Sequence, residues 1–236
     1  MPADKARLKA AKAPHAGDWL NVPPLAAIGV RLSDQAIRVA VGFRQDCVTC
    51  QPHVCICGAM VDARELHGLS CRKSGPRHIM HFQLNDLIWK AVKKAQIPAT
   101  KEPIGLSLSN GKRPDGTSLI PWKHRKPLAW YITVPDTYAA SHISETAENA
   151  GAAANKAATN KIAKYNRLTT THHFIPITIE AAGPWNCEAS EFITELGMKI
   201  TEVTLEPLGT QYLFKLLSIV LQRRNEIAFR NIFNTE

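Results

Sequence analysis

No stretch of this sequence approaches the roughly 18 consecutive apolar residues that a membrane-spanning helix needs, so no membrane partner is expected. Residues 1–14 lack the apolar core of a secretory signal. They carry Lys5, Arg7, Lys9 and Lys12 among alanines and read as a basic arm, with an acid-poor transit peptide as the alternative because only Asp4 interrupts them. Acidic side chains are scarce: 20 Asp and Glu against 29 Lys and Arg leave a net charge of +9 and a pI near 9.4. Such an excess points to a polyanionic partner, nucleic acid ahead of a membrane surface. A merely basic soluble protein is the competing reading. Cysteine is sparse outside one segment, since five of six lie between Cys47 and Cys71 and Cys187 stands apart. With no secretory signal, the reducing nuclear or cytoplasmic interior is expected, where clustered thiols hold a metal more often than they bridge. There is no internal repeat.

What remains suits a globular protein. Hydrophobic residues make up 45% and charged residues 21% of 236, enough for one good-sized domain with a small module attached. Ser33-Asp34 starts a helix carrying Ala36, Val39, Ala40 and Phe43 at helical spacing, ending before Cys47. Lys73-Ser74-Gly75-Pro76 reads as a break, and a helix from Arg77 to Ala95 follows with Leu84, Leu87, Ile88, Ala91 and Val92 in one stripe. Strands are expected at Ala99–Leu106, Ser118–Ile120, Leu128–Val134 and Phe174–Ile179, with turns at Asn110-Gly111 and Pro114-Asp115-Gly116. The alanine-rich, proline-free stretch Thr137–Thr169 predicts mostly helix with Gly151 as its weak point, and two further helices close the chain. The order describes an α+β fold, a three-layer α/β/α mixed sheet flanked by helices. The expected organisation is a basic disordered arm at 1–18, a helical and Cys/His module at 19–75, and the main domain at 76–236.

Cys55-x-Cys57 followed by His67-x3-Cys71 supplies three thiolates and an imidazole, a tetrahedral zinc set by ligand type. His67 and Cys71 are one helical turn apart. The C-x-C spacing is tighter than usual, so Cys47-x2-Cys50 could replace Cys55 and Cys57, and His53 is a further candidate. Free thiols are the bland alternative.

A second constellation centres on Asp115, held between Pro114 and Gly116. Phosphodiester hydrolysis needs a hard cation, and magnesium takes one or two carboxylates plus waters and substrate oxygens. Asp115 is the candidate magnesium ligand, Glu102 and Glu180 are supporting acids, and Lys161 with Tyr165 on one helical face could meet a phosphate. Taken alone, each of these is more often a turn or a solvated helix face. Candidate phosphate contacts are Arg77, His78, Lys112, Arg113, Lys123, Arg125, Lys126, Arg223 and Arg224.

Read in order, Cys55-Ile-Cys57-Gly58-Ala59, His67-Gly-Leu-Ser-Cys71, Arg77-His78, Glu102-Pro103, Gly111-Lys-Arg-Pro-Asp-Gly116, Trp122, Thr133, Asp136-Thr137, Lys161-x3-Tyr165, Glu180 and Gly183-Pro184-Trp185 form a pattern. It resembles the C-terminal region of non-LTR retrotransposon polyproteins, where a zinc knuckle precedes a restriction-like endonuclease domain. The resemblance implies a fold with a Pro-Asp-(Asp/Glu)-x-Lys core that nicks DNA for a reverse transcriptase encoded upstream in the parent element. It implies catalytic roles for Asp115, Lys161 and Tyr165, zinc on the knuckle, magnesium on Asp115, and DNA as partner with RNA as a second candidate. The chain departs from the pattern at Tyr131, which stands where the second aspartate belongs. Tyrosine stays neutral at pH 7 and is a poor magnesium ligand, so impaired cutting is expected. A non-catalytic zinc and nucleic-acid binding module is the alternative.

Overall fold

The computed structural model describes residues 1–64, 66–71, 73, 77–107 and 111–233, with the backbone alone for 77–80. Ser74, Gly75, Pro76 and Asn110, and the side chains of Arg77 and His78, lie outside the described residues, and with them the expected break and the first half of the Asn110-Gly111 turn.

Residues 1–18 are not a disordered arm. Pro2–Lys12 form helix α1, opened by Pro2 at its first turn, where the missing amide is no loss. Ala6 and Ala10, four apart, are buried and let the helix sit close. Arg7 is buried too: its guanidinium pairs with Asp46 at 2.5 Å, donates to the Phe43 carbonyl at 3.0 Å and lies over the Tyr138 ring. Counting charge misses this, because one of the four basic side chains faces inward.

Helix α2, Asp34–Gln45, begins where expected, with the Ser33 hydroxyl accepting from the Ala36 amide at 3.0 Å. It ends at Gln45, capped by Asp46 at φ 63°, before Cys47 as expected. Two short paired strands, β1 (His53–Val54) and β2 (Met60–Val61), and the short helix α3 (His67–Ser70) make up the cysteine segment.

Helix α4, Arg77–Lys94, leads into the main sheet. Its strands are β3 (Ala99–Lys101), β4 (Gly116–Lys123), β5 (Lys126–Thr133) and β6 (His173–Thr178), in the order β3-β4-β5-β6. The first three are antiparallel and β6 is parallel to β5, so the sheet is mixed. The expected strand Ala99–Leu106 stops at Lys101, because Glu102 turns through φ 47° and Pro103 offers no amide; Ile104–Leu106 form a 3-10 turn instead.

The parallel return from β5 to β6 requires a crossover. The alanine-rich stretch provides it, as three helices rather than one: α5 (Ile143–Glu148), α6 (Ala152–Lys164) and α7 (Leu168–Thr171). Gly151 is the break, at φ 83°, and a β-carbon there would lie 2.9 Å from the Trp185 carbonyl oxygen. Helices α8 (Cys187–Thr204) and α9 (Gly209–Arg230) follow.

Strand alternation assigns the layers. Leu128, Trp130 and Ile132 of β5 join Leu84 and Ile88 of α4, Phe192 and Leu196 of α8, and Phe214 and Leu217 of α9 in the principal core. On the opposite face Ala129 and Tyr131 meet Tyr165, Leu168 and Phe174. Helices therefore cover both faces of a mixed sheet. Among the described residues, no helix is long and apolar enough to cross a membrane.

Candidate functional site

The cysteine segment converges on a point. Gly58 at φ 88° turns the chain between Cys55 and Ala59, with the Cys55 amide donating to the Ala59 carbonyl at 2.9 Å. The turn of α3 brings His67 beneath Cys71, whose amide donates to the His67 carbonyl at 2.9 Å. The ligand atoms of Cys55, Cys57, His67 and Cys71 all lie within 4.8 Å of one another, with Cys55 and Cys71 sulfurs 3.6 Å apart and Cys57 Sγ 3.2 Å from His67 Nε2. Bond lengths of about 2.3 Å to sulfur place tetrahedral thiolates about 3.8 Å apart, so this Cys3His set fits a metal ion such as zinc. Backbone donation from Ala59 draws the Cys57 thiol down to about 6, towards the thiolate a metal requires.

The rival pair does not join it. Cys47 is exposed, and Cys50 Sγ faces the Asp62 carbonyl oxygen at 3.5 Å and His53 at 4.0 Å. The ligand cluster is seated on the end of α9: Cys55, Cys71, Val61 and Ile232 form one buried group, and His53 stacks on Phe233.

The second constellation forms around Asp115, which is buried. Gly116 follows it because a β-carbon there would lie 2.0 Å from the Trp130 ring. The Asp115 backbone is fixed by its amide donating to the Trp130 carbonyl at 2.8 Å and by its own carbonyl accepting from Glu102 N and Asn85 Nδ2, both at 2.9 Å. Its Oδ2 accepts the Ile132 amide at 2.6 Å and pairs with His81 Nε2 at 3.1 Å. Burial disfavours the His81 imidazolium, but Asp115 and the Ile132 carbonyl outweigh it and raise its pKa.

Tyr131 lies beside this carboxylate, half-buried, its hydroxyl pKa raised by burial and then by Asp115. Lys161 Nζ stands 3.8 Å from the Tyr131 ring centroid. Burial, with Lys164 second, lowers the Lys161 pKa to about 8 against the pull of Asp115. Both residues, with His81, Asp136 and Arg224, line a cleft of about 370 Å³ that reaches Leu69 and Ser70 of α3. Asp136 is half-buried, and burial raises its carboxyl pKa against the amide of Tyr138 and the charge of Arg224.

Other candidates stand elsewhere. Tyr165 is fully buried, and its hydroxyl donates to the Arg113 carbonyl at 3.0 Å, so it braces the Asp115 turn from behind. Glu102 is exposed and paired with Arg113. Glu180 lies at the start of α6, accepting from Ala153 N at 2.9 Å. Arg223 ties down the carbonyls of Gly29 and Arg31. Lys123 pairs with Glu195 at 2.5 Å, and Lys126 Nζ donates to the Thr169 carbonyl at 2.8 Å. Exposed Lys112 is near enough to Lys161 to help lower its pKa.

Sequence reasoning passed over His81 and Asn85. Asn85 Oδ1 accepts from Trp130 Nε1 at 2.8 Å, so the two residues, one turn apart on α4, grip the Asp115 strand end. Their signal was a pair of polar residues spaced i, i+4 beside an apolar stripe.

No protein-family model matches this chain, and no curated protein matches it.

Proposed function

We propose that this chain is a retroelement-derived, restriction-like endonuclease domain with a zinc knuckle, one that keeps nucleic-acid contact and has lost most of its metal-dependent cutting. The supporting observation is the state of Asp115: its Oδ2 is engaged by the Ile132 amide and the His81 imidazole, and Tyr131 fills the neighbouring place. Magnesium demands near-octahedral oxygen ligands at about 2.0–2.1 Å and relies on carboxylates for charge. One carboxylate already paired with an imidazole holds it weakly. Phosphate contact is a separate matter. His81, Lys161 and Arg224 line the cleft, with Lys164 beside Lys161, and they suit the oxygens of a phosphodiester. The zinc site has a structural role, since in modules this small metal binding supplies folding energy. DNA is the expected partner with RNA second, inside the cell.

The test is a pair of measurements on the zinc-loaded chain. Fluorescence anisotropy with duplex DNA should show binding that weakens steeply with salt, with a logarithmic slope of about −0.9 per phosphate neutralised. Plasmid nicking with magnesium or manganese should be absent or nearly so. Binding that ignores salt, or no binding at low salt, overturns the contact half of the reading. Robust nicking lost in Asp115→Ala overturns the impaired half.

A further inference from the structure

Lys161 and Ile162, neighbours on α6, line two different clefts: Lys161 the one above, Ile162 a second of about 400 Å³. Lys123, His124 and Lys126 of the β4–β5 hairpin wall the second cleft, together with His172 and His173 where α7 meets β6. Glu188 of α8 is the one acid among its described lining residues, and burial, then Glu191, raises that carboxyl's pKa.

The hairpin itself is unusual. Lys123 pairs with Lys126, and the chain reverses through His124 at φ 48° and Arg125 at φ 60°. A two-residue turn with both central residues left-handed favours Asn-Gly or Asp-Gly, because a β-carbon is disfavoured there. Here His and Arg occupy it, so backbone strain is accepted where four basic side chains stand in a row. Opposite them, His172 Nδ1 lies 2.9 Å from Thr171 Oγ1. Burial lowers the His172 pKa; at His173 burial comes first, then Lys123, with His124 and Lys126 adding and Glu195 opposing.

We propose that this second cleft binds phosphate oxygens of a nucleic-acid strand, and that His172 and His173 take up protons as the strand binds. The identity of the strand rests on the function proposed above; the phosphate chemistry of the cleft does not. In the free protein both imidazoles are mostly neutral near pH 7, and an adjacent phosphate favours their charged form. Affinity therefore rises as pH falls through the bound-state pKa, by at most about tenfold per pH unit for each histidine, and levels off below the free-state pKa.

The experiment uses the full zinc-loaded chain with two probes. Imidazole NMR titrations are recorded with and without inorganic tripolyphosphate, and DNA anisotropy is measured from about pH 5.5 to about pH 7, below the range in which Lys161 loses its charge. Tripolyphosphate should raise the pKa of both histidines. DNA affinity should climb several-fold per pH unit on acidification. His172→Gln with His173→Gln should flatten that climb, whereas Lys161→Gln in the first cleft should weaken binding without flattening it. Imidazole pKa values indifferent to tripolyphosphate, or a climb below about pH 7 that survives undiminished in a folded double variant, overturn the proposal. Should the double variant fail to fold, the titration of the unmodified chain decides. A tripolyphosphate response without DNA binding keeps the cleft, makes its ligand a free phosphate compound and defeats the nucleic-acid reading. DNA binding with unresponsive histidines does the reverse.

Discussion

The Lys161 ammonium rests on the face of the Tyr131 ring, 3.8 Å from its centroid, beside the Asp115 carboxylate. An aspartate at 131 would give Lys161 a second anionic neighbour and a metal ion a second carboxylate. We expect Tyr131→Asp to raise the Lys161 pKa and to produce magnesium-dependent plasmid nicking that Asp115→Asn removes. Each tenfold gain in rate corresponds to about 1.4 kcal/mol of transition-state stabilisation. Silence from a folded variant would defeat the proposal that Tyr131 is what impairs cutting.

Lys161 itself sets a pH limit. Its pKa of about 8 means it is charged below that value and loses its charge above it. Nucleic-acid affinity should therefore drop between about pH 7 and pH 9 through loss of one phosphate contact, and the salt slope should flatten by about one unit. Lys161→Arg, whose guanidinium stays charged, should abolish the drop. Anisotropy titrations at both pH values check this, and an identical drop in the arginine variant rules it out.

Zinc removal should melt the knuckle and loosen the end of α9 that it covers. Cys55→Ser or His67→Ala should lose the metal in native mass spectrometry under reducing conditions, while Cys47→Ser and Cys50→Ser retain it. Zinc lost from the Cys50 variant and kept by the Cys55 variant would move the ligand set to the other pair. Apparent zinc-binding energies in such modules reach about 10–16 kcal/mol, so the effect on local folding should be large.

Arg7→Ala should destabilise the chain by about 2 kcal/mol, because it removes one of the two guanidinium groups paired with Asp46, the other being that of Arg64, together with the donation to the Phe43 carbonyl and the cover over Tyr138. Lys9→Ala, at an exposed position of the same helix, should stay within about 0.5 kcal/mol. Urea denaturation separates the two. Equal, negligible effects would mean that α1 does not dock.

Glu180 is wholly buried and its pKa is raised by burial above the usual carboxylate value, despite the α6 amides it accepts. The folded state then binds more protons than the unfolded one at pH values above 4.5, so this group's contribution to stability falls as pH rises through that window. Glu180→Gln keeps an acceptor for the α6 amides and should flatten the fall in urea titrations between about pH 5 and pH 8. Glu180→Ala leaves those amides unpaired and should cost about 1–3 kcal/mol. A pH profile unchanged in Glu180→Gln would rule out the assignment.

Much of the architecture was legible because it rests on local rules. Ser33 caps α2, Gly151 interrupts the alanine-rich stretch, and the β-branched run around Ile132 forms a buried strand with alternating faces. The Cys55, Cys57, His67 and Cys71 cluster was legible from ligand type, and geometry chose it over the Cys47-Cys50 pair. Arg7 was not legible, because burial of a charge depends on Asp46 and Tyr138, distant in sequence. Nor was the part of His81, which meets Asp115 across 34 positions only once α4 lies on the sheet. Tyr165 was placed on the right helix, but a spacing pattern cannot say that its hydroxyl faces the Arg113 carbonyl rather than the cleft.

Gly116 deserves a different kind of reading. The Trp130 ring fills the space where any side chain at 116 would go, so a larger residue there would pry β4 away from β5. The glycine is thus guarded by sheet packing, whether or not the neighbouring carboxylate ever meets a metal. In a lineage that stops cutting DNA, this half of the turn would outlast its chemistry, while Asp115 would drift unless its grip on Ile132 and His81 also mattered to the fold. An intact Asp-Gly turn in a related sequence would then be a record of steric constraint, and the residue matching Tyr131 the better witness to whether the enzyme is alive.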